Sequence, residues 1–324
     1  MKPFVYTRAA SVVEAVDAAS LPGVAVLAGG TELLNWMRIG VTEPRTVVEI
    51  GRLPLKEIRL DGDVVHIGAL ATLNDVAAHE LVRDRFPVLS QAIHKSASAQ
   101  LRNLATIGAN PLQSTRCPYF RSESPTPCNK RRPGSGCGAR HGIAENHAIF
   151  GWTDNCVAVQ PSDPATALVA LDSTVVTADQ NGGRRLAIRD LHALPADDPT
   201  VHHVLRPGEI IVDIEISGAA RASAYVKVRE RESYEYALVS AAVALDLDGD
   251  VITRVRIAVG SVAMKPWRLE AAERLLAGMR IGSPEMGESV KAAFADARPL
   301  PDSEYKVPLA QNAVLRAIEE AAGS

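Results

Sequence analysis

A chain of 324 residues with 47% apolar side chains is long enough for two or three domains and buries a sizeable core. Its 35 basic and 38 acidic residues leave a formal charge of −3, which argues against nucleic acid or an anionic membrane as a partner. No apolar run reaches the roughly 20 residues needed to span a bilayer, and the opening MKPFVYTRAA lacks the apolar core of a signal peptide.

Residues 11–19 (SVVEAVDAA) have helical spacing with Ser11 as N-cap, and residues 24–28 form a short apolar strand. In VLAGGTELLNWMRIG the strand ends at Gly29 and Gly30, Thr31 is expected to cap, and residues 32–39 read as a helix closed by Gly40. Adjacent glycines after a strand let the chain turn sharply and bare several N–H groups able to cradle a pyrophosphate. The pattern is not G-x-G-x-x-G, so a Rossmann fingerprint is absent, and on its own the pair is an ordinary tight turn. Residues 46–50 and 64–68 read as strands, the second after an Asp61-Gly62 turn, with helices expected over 74–82 and 87–97. Gly108 and Asn110 mark a second close approach of backbone to a ligand.

All four cysteines follow within about 40 positions. Cys117, Cys128, Cys137 and Cys156 are separated by 11, 9 and 19 positions (128−117, 137−128, 156−137). Soft thiolates gathered in this way usually ligate metal, and four of them complete one tetrahedral set. The C-x₂₋₄-C pairs of zinc ribbons and the C-x₂-C-x₂-C run of ferredoxins are both missing. Spacing alone therefore leaves open an iron–sulfur cluster, a structural zinc, and disulfides or unrelated thiols. The triplet Lys130, Arg131 and Arg132 reads as a solvated loop, with the alternatives of offsetting a negatively charged cluster or docking an acidic partner.

Beyond the cysteines, Ser162 and Asp163 start a helix that runs to Leu171, and a strand covers 174–178. Strands over 209–216 and 224–228 bracket a turn around Ala219 and Arg221. From about Ala222 the pattern becomes strand-then-helix, an α+β arrangement. A hairpin spans 238–247 and 251–259, and helices are expected over 268–279, 285–297 and 309–321. The stripes Leu269, Leu275, Leu276 and Val314, Leu315, Ile318 read as core. His94, His141, His147, His202 and His203 are scattered and supply no catalytic base set.

The segments AGGTELL, ATIGANPLQ, CPYF, PCNKRRPGSGC, HAIFG, QPSD and YVKVRERESYEYALVSAAVAL occur in an order that resembles the FAD-binding medium subunits of the molybdenum hydroxylases, across essentially the whole chain. The wording of the cysteine segment is closest to that in FAD subunits of bacterial periplasmic aldehyde oxidoreductases, which also carry a 4Fe-4S cluster. The resemblance implies an α+β fold, with a two-part FAD-binding domain of the PCMH/CO dehydrogenase flavoprotein type and a C-terminal α+β domain. The corresponding division is residues 1–58, residues 59–220 with a 4Fe-4S insertion at about 113–160, and residues 221–324. Carried over by position, Leu27, Ala28, Gly29, Gly30, Thr31, Glu32, Leu33 and Leu34 would wrap the FAD pyrophosphate. Thr106, Gly108, Ala109, Asn110 and Leu112 would form a second FAD loop, and Ser162 and Asp163 would bind the nucleotide end. Ile211 and Lys227 would lie near the flavin ring, where a cation favours reduced anionic flavin. Cys117, Cys128, Cys137 and Cys156 would ligate the 4Fe-4S cluster. Ala109 replaces a usual glycine, and Pro111 removes one N–H donor from the second loop.

The implied function is electron transfer within a heteromeric aldehyde oxidoreductase. Substrate chemistry would belong to a large molybdopterin-binding subunit, with 2Fe-2S clusters on a small subunit and an external electron acceptor beyond the FAD. The same role in a heterocycle or xanthine dehydrogenase or a hydroxybenzoyl-CoA reductase is the alternative, and a zinc-stabilised stand-alone flavoprotein the remote one. The expected location is cytoplasmic, or periplasmic by export with a signal-bearing partner.

Overall fold

The computed structural model describes residues 1–196 and 198–323. Strands β1 (Val5–Arg8), β2 (Val24–Leu27) and β3 (Thr46–Glu49) form a parallel sheet in the order β1-β3-β2. Parallel neighbours need a crossover, and between β1 and β2 the helix Val12–Ala19 supplies it, with Ser11 accepting the Glu14 N–H at 3.1 Å. Ala15 and Val16 bury its inner face against Val48 and Ile50. Sequence pattern gives no sign of β1, because all four of its residues are exposed.

The second sheet is antiparallel throughout, in the order β4-β5-β8-β6-β7. Its strands are β4 (Ile58–Asp61), β5 (Val64–Gly68), β6 (Thr174–Ala178), β7 (Arg185–Ala187) and β8 (Ile210–Ser217). Helices Leu73–Ala78, Glu80–Arg85, Pro87–His94 and Asp163–Ala170 contribute to the core beside it. The single helix expected over 74–82 is broken at His79. That residue is extended (φ −68°, ψ 133°), and its Nδ1 accepts the Leu81 N–H, so it closes one helix and caps the next.

The third sheet has the order β12-β11-β10-β9 and is also antiparallel. It consists of β9 (Ser223–Val228), β10 (Val239–Asp248), β11 (Val251–Gly260) and β12 (Trp267–Arg268). Residues 239–245 are buried on both faces, which explains the unbroken apolar run of a strand sandwiched between layers. Successive side chains alternate in direction. Ala242 and Ala244 face the middle core, whereas Val243 and Leu245 face the C-terminal helices Glu270–Leu276, Glu285–Ala292 and Lys306–Ala322. Small residues on one face admit the buried helices of the neighbouring sheet.

β8 and β9 do not form a hairpin; the turn around Ala219 and Arg221 carries the chain from the second sheet to the third. Leu275, expected in the core, is 45% exposed, one position off the stripe that buries Ala272 and Leu276. No helix among the described residues is long and apolar enough to cross a membrane.

Candidate functional site

A cleft of about 1020 Å³ opens where the glycine loop after β2, the loop around residues 105–113 and the starts of later elements converge. Close approach of backbones dictates the glycines. A Cβ on Gly29 would lie 1.8 Å from the Leu104 carbonyl oxygen, and one on Gly108 would lie 2.6 Å from the Ala69 Cβ. Gly30 adopts φ +76°, a region that favours glycine. Ala109 sits at φ −85°, which an alanine adopts without strain, so the methyl in place of the usual glycine costs the backbone nothing. Pro111 is buried in a 3-10 turn, and its carbonyl takes a hydrogen bond from Gln160 Nε2 at 2.8 Å.

Residues 28–34 line this cleft, together with Thr106, Gly108, Ala109, Asn110, Leu112, Asp163, Ile211 and Lys227. Leu27 and Ser162 do not. The Leu27 carbonyl accepts the Ile50 N–H at 2.9 Å. Ser162 is buried behind the wall, donating to Asn110 Oδ1 at 2.6 Å while capping the helix Asp163–Ala170 through the Ala165 N–H. Thr31 does not cap the helix Leu33–Arg38; Glu32 takes the N-cap position with no side-chain bond.

The donor set suits an anionic ligand. Among the described residues, the backbone N–H groups of Gly29, Gly30, Thr31, Glu32 and Ala109 meet no protein acceptor. The Thr106 hydroxyl is buried without a partner, which is costly unless a ligand or water meets it. Asp163 and Lys227 form a buried ion pair at 2.8 Å, with Tyr225 donating to the second carboxylate oxygen at 2.5 Å. Burial pushes the Asp163 carboxyl up, opposed by Lys227 and Tyr225. The pairing brings Asp163, expected at the nucleotide end, and Lys227, expected near the flavin ring, into direct contact at 2.8 Å on one wall of the cleft.

Sequence reasoning missed part of the rim. Arg231, Tyr234, Glu235 and Tyr236, from the connection between β9 and β10, and Arg116 all border the cleft. Arg116 stacks 4.6 Å from the Tyr236 ring centroid and pairs with Glu32 at 3.0 Å; Arg121 reaches the same carboxylate at 2.5 Å. Glu32 thereby ties the glycine loop to the start of the cysteine segment.

All four cysteines are free thiols lining one second pocket of about 10 Å³. Little regular structure holds it. Cys128 and Cys137 face each other in an isolated antiparallel bridge, closed by Gly134 and Gly136 at φ +81° and +87°. Burial pushes up the thiols of Cys117, to about 12, of Cys156, to about 11, and of Cys128. Backbone N–H groups oppose this: those of Phe120 and Tyr119 at Cys117, of Arg131 and Lys130 at Cys128, and of Ala158 at Cys156. N–H groups aimed at sulfur in a desolvated pocket fit thiolates held by metal. Around one zinc, sulfurs about 2.3 Å from the ion stand about 3.8 Å apart. No three of these cysteine sulfurs lie within 4.8 Å of one another.

Two expectations change here. Lys130 is not solvated: it is 6% exposed and lines the thiol pocket, its ammonium donating to the Pro199 carbonyl. His147, which carried no signal in the sequence, is buried with Nε2 3.3 Å from Cys117 Sγ. His202 lies near the Trp36 and Phe120 rings with Nδ1 2.9 Å from Ser114 Oγ, and burial pushes it down to about 3, so it is neutral and structural. A third cluster, His66, Asp213 and Glu215, is satisfied internally: His66 pairs with Asp213 at 2.8 Å and Arg185 grips both Glu215 oxygens.

The layered α+β fold, with a large cleft lined by a glycine loop of unpaired amides, fits a protein that binds a phosphate-bearing organic cofactor. Residues 2–217 match the model of the FAD binding domain in molybdopterin dehydrogenase, and residues 223–321 match that of the CO dehydrogenase flavoprotein C-terminal domain. The chain belongs to this family, the FAD-binding subunits of molybdenum hydroxylases, and is thus a subunit of an oxidoreductase complex. It is 39% identical to the aldehyde oxidoreductase FAD-binding subunit PaoB of Escherichia coli, over 99% of each chain. It is 27% identical to the carbon monoxide dehydrogenase medium chain of Hydrogenophaga pseudoflava, over 91% of this chain and 88% of that one. A solved carbon monoxide dehydrogenase structure from the same organism superposes with a TM-score of 0.77 at 26% identity, covering 100% of this chain and 99% of the other.

Proposed function

We propose that this chain is the FAD- and 4Fe-4S-bearing electron-transfer subunit of a molybdenum-containing aldehyde oxidoreductase, which converts aldehydes to carboxylic acids on a partner subunit. The large molybdopterin-binding subunit and the small 2Fe-2S subunit would deliver electrons to this chain, and an external acceptor would remove them. The observation carrying this reading is 39% identity, over 99% of each chain, with an aldehyde oxidoreductase FAD-binding subunit, joined to four cysteines lining one pocket. Four thiols converging on one pocket support a group with four thiolate ligands.

When bound, FAD accepts electrons and passes them onward. The bared amides of residues 29–32 would hold its phosphates, and Gly29 and Gly108 permit the loops to close to that distance. Lys227, held by Asp163, would present its fixed cation to the ring system, while the wall at Ile211 excludes water from one side. Cys117, Cys128, Cys137 and Cys156 would ligate the cluster. We take residues 1–58, 59–220 and 221–324 as the working units.

Co-expression with the two partner subunits tests the reading. Aldehyde-dependent dye reduction is expected from the complex, and none from this chain alone. Aldehyde turnover by the single chain would refute it.

A further inference from the structure

We infer that Lys130 and His147 form a cationic and hydrogen-bonding shell that raises the reduction potential of the cluster in the four-cysteine pocket. The inference rests on the cluster reading above and assigns two of this chain's own residues to tuning it.

Lys130 is 6% exposed and has no ion-pair partner among the described residues; its ammonium donates to the Pro199 carbonyl. Taking an ammonium out of water for a single carbonyl costs several kcal/mol unless opposite charge lies close by. The exposed Asp198 acts on it through space without forming an ion pair, and the pocket it lines is built from four thiols, so four thiolates around a cluster supply most of that charge. His147 is placed from its backbone. Its carbonyl accepts from Lys306 Nζ at 2.9 Å, and that fully buried lysine is anchored in turn on the Ser261 carbonyl at 2.6 Å. The ring's Nδ1 faces no partner, whereas Nε2 stands 3.3 Å from Cys117 Sγ. A neutral imidazole carries one N–H, and with Cys117 as a cluster-bound thiolate, which can only accept, that N–H belongs on Nε2 and points at the sulfur.

Reduction adds one negative charge to the cluster. A nearby fixed cation and an N–H aimed at a ligand sulfur both favour the more negative form, and the full charge of Lys130 outweighs the dipole of His147.

The test is a reductive titration of the anaerobically purified full chain, following the cluster by EPR and the flavin by absorbance in the same sample, with iron assayed per chain. Lys130→Met should make the cluster at least tenfold harder to reduce, about 59 mV for a one-electron couple. His147→Leu should shift it less in the same direction, Lys130→Arg should stay near wild type, and the flavin should not move. An iron-replete Lys130→Met variant with an unmoved cluster midpoint overturns the inference. If Lys130→Met loses iron, Lys130→Gln is titrated instead. Iron lost from both neutral variants yet kept in Lys130→Arg supports the need for charge, and iron lost from Lys130→Arg as well assigns the residue to packing. Wild-type chain without iron would refute the cluster reading itself, a separate outcome.

Discussion

The cleft and the thiol pocket lie at opposite extremes of construction. The cleft, about 1020 Å³, is framed by sheets and helices, and its glycine loops are fixed by contacts between backbones. The pocket, about 10 Å³, is framed by irregular chain whose regular pieces are only Pro118–Arg121 and the 3-10 turn Gly138–Arg140. A site built from regular elements keeps its shape without a ligand. A site built from loops and four clustered thiols, with Cys128 and Cys156 buried and Cys117 and Cys137 half-buried, draws its order from the ion or cluster that binds them, so binding energy there is also folding energy.

The most severe test of this contrast is Cys156→Ser, which should abolish cluster iron while FAD stays near stoichiometric, measured by metal and flavin analysis. Loss of both cofactors together would mean that the two sites fold as one. Next comes Lys227→Met, which leaves the Asp163 carboxyl buried and unpaired; removing one partner of such a pair costs about 3–5 kcal/mol. Denaturant unfolding should show it, with iron retained. Gly29→Ala places a methyl against the Leu104 carbonyl and should cost about 1–3 kcal/mol together with FAD, again sparing iron.

A pH effect concerns Lys306, under the His147 carbonyl, whose ammonium burial pushes down to about 7. Unfolded lysine titrates near about 10.4, so between those values the unfolded chain binds more protons. Stability should therefore rise as pH climbs above about 7 toward 10. Lys306→Met should remove that pH-dependent increment, as read from melting temperatures across the range.

Local chemistry explains what could be read from the sequence. The Ser11 cap and the hairpin from β10 to β11 follow from neighbours in the chain, and Gly29 and Gly108 were legible as turn signals, although the contacts that require them, with Leu104 and Ala69, lie far along the sequence. The four cysteines announced a shared site because no other thiols exist. Features made by distant contacts were hidden. Lys130 looked solvated because nothing adjacent tells that Pro199 and the thiols enclose it, and His147 became relevant only when the fold set it beside Cys117. The break at His79 was missed because the apolar spacing runs through it. Arg116 and Tyr236, 120 positions apart (236−116), meet only because the β9–β10 connection folds over the cleft.

Iron, zinc and flavin content of anaerobically purified chain, with an EPR spectrum after dithionite reduction, tests the central claim most directly. The account predicts about four iron and about one FAD per chain and the spectrum of a reduced 4Fe-4S cluster. One zinc and no iron would contradict it, making the cysteine segment a structural clasp beside an otherwise intact flavin site.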